Sequence, residues 1–297
     1  MESNTRIRKG FRDRFELIDI FITIFLVGLT IMIIIPVFNV LAISFSSLRE
    51  SLENPLMIFP REPTIDNYYR LMQDPRIPVG FRTTGLLVLI GVPFNLFLTT
   101  SMAYGLSRID YPGARFVFFS VLITMLFSGG IVPLYILMME LNLINTIWAL
   151  IFAYGVNTFY FIIMRTYMIS LPVSLIESAK IDGAGEWRIL LQIILPLSKP
   201  IIATILLFYT VDRWNEWFTG MVFLRRNDMI PLQLVLRNIV MDTEIINSLG
   251  IAGPEVPRFT AGVQAATIML TMLPVMCVYP FLQRHFAKGI MLGAIKA

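Results

Sequence analysis

Apolar residues dominate this chain in long blocks, and short polar stretches separate them. Six blocks are long enough to cross a bilayer, for which about 20 mostly apolar residues are needed. They cover roughly Ile20 to Ala42, Thr84 to Leu106, Phe116 to Met139, Thr146 to Met168, Pro200 to Leu224 and Gly262 to Leu282. Each is expected to be a helix. The first follows a basic segment but lacks a small-residue cleavage site, so it is expected to be retained as a span rather than removed as a signal peptide.

The polar stretch ESAKIDGAGEWRILLQIILPLSKP, residues 177–200, lies between blocks four and five. About 30 residues join those blocks, too many for a structureless connection without a role. Ser174 and Glu177 have the spacing of a capping box. Leu175, Ile176 and Ala179 follow as an apolar side, and Gly183 is placed to end a first helix in a left-handed turn. A second helix is expected from Gly185, with Trp187, Leu190, Leu191 and Ile194 on one apolar face. Pro196 is expected to end it and Pro200 to open the next span. The residues alone describe a helix–turn–helix at the membrane surface. They fit equally an interfacial connector and a docking element.

Composition places the chain in the membrane class. Of 297 residues, 56% are hydrophobic and 15% charged, against about a quarter charged in soluble domains. One cysteine (Cys277) and one histidine (His285) exclude a disulfide framework and a Cys/His metal cluster. A net charge of +4 gives no nucleic-acid surface. Lys and Arg collect in the N-terminal tail, after block two (Arg108, Arg115), after block four (Lys180, Arg188, Lys199) and in the C-terminal tail. By the positive-inside rule both termini and the hairpin are cytoplasmic.

Charges inside a span default to function. Block five carries Asp212, Arg213, Asn215 and Glu216, with Asp212 roughly 18 Å from Pro200 along a helix. Arg213 and Glu216 are spaced to pair. Block three carries Ser128, Gly129, Gly130 and Pro133, a sequence that breaks or bends a helix. The two disturbances lie at one depth. They fit the gate of a pathway, or a buried ion pair beside a packing kink. Trp214, Trp217 and Tyr209 could stack on sugar rings, although aromatics near a span end are common. No G-x-x-x-x-G-K-[ST] loop is present, so ATP is not bound by that route. No nucleophile–base pair, cofactor site or metal site is found, and an enzyme is not expected. An ion-coupled secondary transporter is the alternative class.

Residues 177–200 resemble the cytoplasmic loop of ABC-importer permeases. Glu177, Ala179, Gly183, Ile193, Leu195 and Pro196 fall in register, with Ser178 in place of an alanine. WNEWF (214–218), PLQLVLRNIV (231–240), SGGIVPLY (128–135) and KGIMLGAIKA (288–297) resemble the smaller permease of maltose-type carbohydrate importers, in the subgroup that takes up oligosaccharides.

The resemblance implies an all-α polytopic fold of six transmembrane helices with a cytoplasmic coupling-helix hairpin, the type I ABC importer transmembrane domain. Residues 1–79 would hold the tail, first span and external loop, 80–285 the core, and 286–297 a cytoplasmic tail. Glu177, Ala179, Lys180, Asp182, Gly183, Ala184 and Glu186 would form the contact with an ATPase, Glu177 and Gly183 holding its shape. Lys288, Gly289, Gly293 and Lys296 would form a second contact along an extended path, unless the tail is merely frayed. The loop 225–261 would probe a binding protein or only cover the bundle. The implied partners are a second permease (a heterodimer), two ATP-binding subunits, an extracytoplasmic solute-binding protein, membrane lipid and an oligosaccharide such as an alginate or pectin fragment. The implied location is the bacterial cytoplasmic membrane.

Overall fold

The computed structural model describes residues 17–108, 112–249 and 261–294, with side chains over 19–108, 112–242 and 261–277. Every regular element among them is helical. Two compact units are present: residues 1–71 with 255–269, and residues 72–254 with 270–297.

In the first unit, α1 (Leu17–Ser44) is a single 28-residue helix. Its side chains from residue 19 to 36 are all exposed. A helix that is apolar all round belongs in hydrocarbon or against other helices. Beyond it lie α2 (Leu48–Glu53) and α3 (Asp66–Met72). Asn67 in α3 donates to the Ser44 and Ser46 carbonyls at 3.1 and 2.8 Å, which ties off the end of α1.

The second unit holds the remaining bundle. Span two combines α4 (Arg76–Leu86), a π-turn (Leu87–Gly91) and α5 (Val92–Ser107). The other π-turn, Leu190–Ile194, sits in the hairpin. Each precedes a proline by two residues, Pro93 and Pro196. Proline removes one N–H and its ring crowds the carbonyl four residues back. A wider i→i+5 turn relieves that clash without ending the helix.

Three of the expected spans are broken. Span three is α6 (Ala114–Leu126) and α7 (Ile131–Glu140), bent by 117°. The expected break is present, at Phe127–Gly130, where Gly130 adopts φ +83°. Span four, expected to be continuous, is α8 (Ile147–Ala153) and α9 (Thr158–Ile169), bent by 55°. Asn157 restarts the helix, its Oδ1 accepting from Phe159 N and Tyr160 N at 2.9 and 3.3 Å. Span five stops earlier than expected: α13 (Lys199–Trp214) is followed by a break and by the short α14 (Phe218–Phe223).

In the loop expected at 225–261, α15 (Leu232–Leu249) forms. Residues 250–260 lie outside the described ones. The last helix, α16, runs from Ala261 to Ala294. Gly289 and Gly293 are therefore helical rather than part of an extended path. The side chains of Lys288 and His285, and all of Lys296, lie outside the described residues.

Candidate functional site

The hairpin between spans four and five consists of α10 (Val173–Ile181), α11 (Glu186–Ile189), the Leu190–Ile194 π-turn and α12 (Leu195–Leu197). Its start differs from the expected capping box. Pro172 occupies the cap position, no side chain caps the helix, and Ser174 lies inside it. Proline presets the dihedral for entry and has no N–H to satisfy, so the helix begins before the serine. The turn behaves as expected. Gly183 has φ +75°, Ala184 N donates to Ala179 O at 2.9 Å, and Gly183 N donates to Lys180 O at 3.0 Å. These two bonds form a Schellman motif. A Cβ on Gly183 would meet nothing within 4 Å, so the need for glycine is conformational, not steric.

The second helix departs from its expected face. Ile189, Leu190 and Ile194 are buried, while Trp187 and Leu191 are 67% and 58% exposed. The π-turn begins at Leu190 and inserts a surplus residue, which shifts the helical phase from there on and turns Leu191 outward. Trp187 precedes that turn and lies on the opposite side of the short α11 from buried Ile189. Nor does Pro196 end the helix. It sits within α12, and the chain turns by 83° at Ser198 before α13, which Pro200 does open. Ile176, Ala179, Ile189, Leu190 and Ile194 share one hydrophobic core with Val92, Phe161, Met164, Ile201 and Ile205. The hairpin is thereby packed into spans two, four and five. Burying each of Ile176, Ile189, Leu190 and Ile194 contributes about 1.5–3 kcal/mol relative to leaving it in water.

Glu186 links the two arms of the hairpin to span two. Its Oε1 lies 3.1 Å from Lys180 Nζ, across the turn, and its Oε2 lies 3.0 Å from Arg108 Nη2. Tyr104 OH also donates to Glu186 Oε2, and Arg108 Nη2 donates to Tyr104 OH at 2.8 Å. Partial burial pushes the Glu186 carboxyl up, but the hydrogen bonds from Tyr104 and Lys180 and the charge of Arg108 outweigh it. The net position is below the ordinary carboxylate range. Tyr104 and Arg108 were not legible as partners, since Arg108 reads in the sequence only as an orientation charge. Glu177 and Asp182 are exposed, and the Glu177 side chain makes no hydrogen bond or ion pair among the described residues. The closed turn rests on backbone bonds.

The second cluster lies toward the other end of α13. Arg213 is only 2% exposed. It donates to the carbonyls of Leu150, Ile151 and Tyr154 at 2.8, 3.2 and 3.2 Å. It also donates to Asn95 Oδ1 at 3.1 Å and pairs with Glu216 at 3.3 Å. Leu150 and Ile151 are among the last four residues of α8, whose carbonyls have no partner within the helix. A cation at this negative end is favourable. Asn95 Nδ2 donates to the Tyr154 and Gly155 carbonyls, so one arginine and one asparagine satisfy the break in span four. The expected Arg213–Glu216 pair is present, but most of Arg213 serves that break.

Asp212 is exposed on the same helix and accepts from Tyr160 OH at 2.9 Å. Tyr209 is 2% exposed and bonded to Thr99 Oγ1 at 2.6 Å, so it cannot stack on a sugar. Trp214 Nε1 donates to Thr271 O at 3.1 Å, and Trp217 remains 39% exposed. Ser128 Oγ accepts from Gly130 N at 3.2 Å. No hydrogen bond or ion pair joins residues 128–133 to 212–216 among the described residues, so the two disturbances are separate features.

A hairpin packed into three spans, together with a break in span four that is satisfied from spans two and five, belongs to an all-helical membrane subunit. Over residues 15–292 the chain matches the family described as the binding-protein-dependent transport system inner membrane component, and it belongs to that family. It is 36% identical to the polygalacturonan/rhamnogalacturonan transport system permease protein YtcP of Bacillus subtilis (strain 168), over 95% of this chain and 99% of that protein. Protein LplC of the same organism is also 36% identical, over 94% of each chain. Among solved structures, a chain of a bacterial ABC transporter involved in the import of the acidic polysaccharide alginate superposes with a TM-score of 0.83. It is 29% identical and covers 93% of this chain and 99% of that one. The fold is the type I ABC-importer transmembrane domain. A binding-protein-dependent family sets aside the ion-coupled alternative.

Proposed function

We propose that this chain is one of two permease subunits in an ATP-driven importer of oligosaccharides, with a second, non-identical permease completing the pore. The observation that carries this is the hairpin. It is closed by a Schellman turn at Gly183, locked to span two through Glu186, and fused by its buried side to spans two, four and five. It leaves Ile181 85% exposed, with Trp187 and Leu191 beside the charged tip. An exposed apolar patch on a rigid charged element is the chemistry of a docking surface.

In this reading an ATP-binding subunit takes the tip, Lys180 to Glu186, with exposed Glu177 and Asp182 free to meet it. Ala179 and Ala184 keep the turn thin, and a second ATP-binding subunit docks under the partner permease. A few ångströms of ATPase movement then turn spans four and five together, because the hairpin cannot bend between them. The C-terminal helix, with Lys288, Gly289, Gly293 and Lys296 near its end, offers the second contact. Both termini and the hairpin face the cytoplasm of a bacterial cell. Residues 1–79 serve as an N-terminal module, 80–285 as the transport core and 286–297 as the tail. On the opposite face an extracytoplasmic solute-binding protein delivers the sugar. The relatives favour fragments of acidic plant or algal polysaccharides. Ser128, Gly129, Gly130 and Pro133 bend span three, and Asp212 to Glu216 shape the pathway in span five.

The test is reconstitution in lipid vesicles, with the chain alone and with its permease, ATPase and binding-protein partners. Oligosaccharide uptake is expected only from the full assembly and only with ATP. Uptake by the isolated chain would refute the proposal.

A further inference from the structure

At the end of α13 remote from the hairpin, the chain leaves the helix at Asn215 and restarts it after Trp217. The face of α15 lies against this break. Arg237 holds its guanidinium over the Trp217 ring, 5.0 Å from the centroid, and approaches Met221 Sδ at 3.6 Å. One turn earlier on α15, Gln233 Nε2 donates to Asn215 Oδ1 at 3.4 Å.

Arg237 differs from the cations around it. Arg76 is paired with Asp74 and Asp242, and Arg226 with Asp228. Arg225 donates to Tyr135 OH at 2.8 Å. Arg213 is consumed by the span-four break. Among the described residues, no carboxylate lies within 4 Å of Arg237. Its charge meets only a ring face and a thioether, both weak partners. The Gln233–Asn215 bond uses one donor and one acceptor of two amides and leaves the other amide groups without partners among the described residues. Trp217 keeps 39% of its surface open.

An open aromatic surface, two half-used amides and a guanidinium without an anion fit one ligand chemistry, a sugar ring that carries a carboxylate. Gln233 and Arg237 are four residues apart, about 6 Å along the helix axis, a spacing that suits a single ring. We propose that Asn215, Trp217, Gln233 and Arg237 form a subsite for a uronate residue of the transported oligosaccharide. Its carboxylate pairs with the Arg237 fork, its ring lies on the open part of Trp217, and its hydroxyls meet the two amides. The proposal rests on the importer reading above and adds that this subunit itself contacts the sugar.

The test uses the full reconstituted importer and a mixture of an oligogalacturonate and the same oligomer with its carboxyls reduced to alcohols. The readout is the ratio of the two ATP-driven uptake rates. The binding protein is the same in every sample, so a change in ratio belongs to the permease. R237Q is expected to lower the acid-to-neutral ratio about fivefold to tenfold. R237K should keep part of it, and W217L should slow both oligomers without changing the ratio. An unchanged ratio in an active R237Q importer, or an equal loss of both oligomers in R237Q and R237K, overturns the subsite. No uptake of either oligomer by the wild-type assembly overturns the importer reading, and the subsite with it.

Discussion

Arg213→Met is the sharpest perturbation of this membrane core. The side chain is 2% exposed and donates to three backbone carbonyls, one amide oxygen and one carboxylate. A hydrogen bond from a charged donor contributes about 1.5–3 kcal/mol, and a buried acceptor left bare costs about 1–3 kcal/mol. Breaking a buried ion pair by removing one partner costs about 3–5 kcal/mol. These quantities describe one side chain and do not add. A loss of about 3–5 kcal/mol is expected, because Asn95 still satisfies Tyr154 while Leu150 and Ile151 are stranded and Glu216 keeps only the bond from Thr219 N. Arg213→Lys keeps the charge but not the fork, and should lose about 2 kcal/mol. Adding Glu216→Leu to Arg213→Met removes the carboxylate that has lost its cation and should recover part of the deficit. SDS titration in mixed micelles gives the unfolding free energies. If Arg213→Met stays within about 1 kcal/mol of wild type, the carbonyls have other partners and the reasoning is wrong.

Gly183→Val should strain the turn by roughly 1–2 kcal/mol through its left-handed backbone alone. Substrate-stimulated ATP hydrolysis should fall while the bundle stays folded, and a Gly183→Asn protein, tolerant of that conformation, should retain more of it; equal activity in both would argue against a backbone cause. Glu186 has a depressed pKa, so its contribution is complete above the ordinary carboxylate range and is lost as pH falls through the lower folded value. Limited proteolysis of the hairpin should therefore rise with acid in wild type and be higher and flatter with pH in Glu186→Gln; indistinguishable profiles would remove Glu186 from the clamp. A Cβ on Gly80 would lie 2.9 Å from Leu232 Cα, a backbone atom that cannot swing aside. Gly80→Ala should therefore displace α15 and slow uptake, and a wild-type rate would show that the helices can separate freely.

The spans with unbroken apolar runs were legible. Blocks one, two and six each coincide with a helical segment, because about 20 apolar residues have few alternatives. The Gly129-Gly130 break was legible as well, since glycine and a nearby proline announce themselves. The break in span four was not. Tyr154-Gly155-Val156-Asn157 offers a lone glycine and an asparagine inside an otherwise apolar run, without a proline, and what stabilises the opening there lies on other spans, at Asn95 and Arg213. Gly183 was legible from local geometry. Tyr104 and Arg108 were not, because their link to Glu186 spans 82 and 78 residues. Periodicity misplaced Leu191, for it assumes 3.6 residues per turn throughout, and it set Trp187 on the buried side although the α11 face that is buried is that of Ile189. The proline two residues past each π-turn is a signal that such counting leaves out.

The arginine that closes span four also sets an order for manufacture. Leu150 and Arg213 are 63 residues apart. At about 5–20 residues per second, synthesis leaves about 3–13 s between them. Through that interval the carbonyls of span four face the membrane without their partner, a state hydrocarbon tolerates poorly. When Arg213 arrives it is itself expensive to insert alone, by about 2.5–3.5 kcal/mol on insertion scales. Neither span is a good passenger by itself, and each supplies what the other lacks. The two should therefore leave the insertion machinery as a pair, with the hairpin between them waiting outside until both have entered.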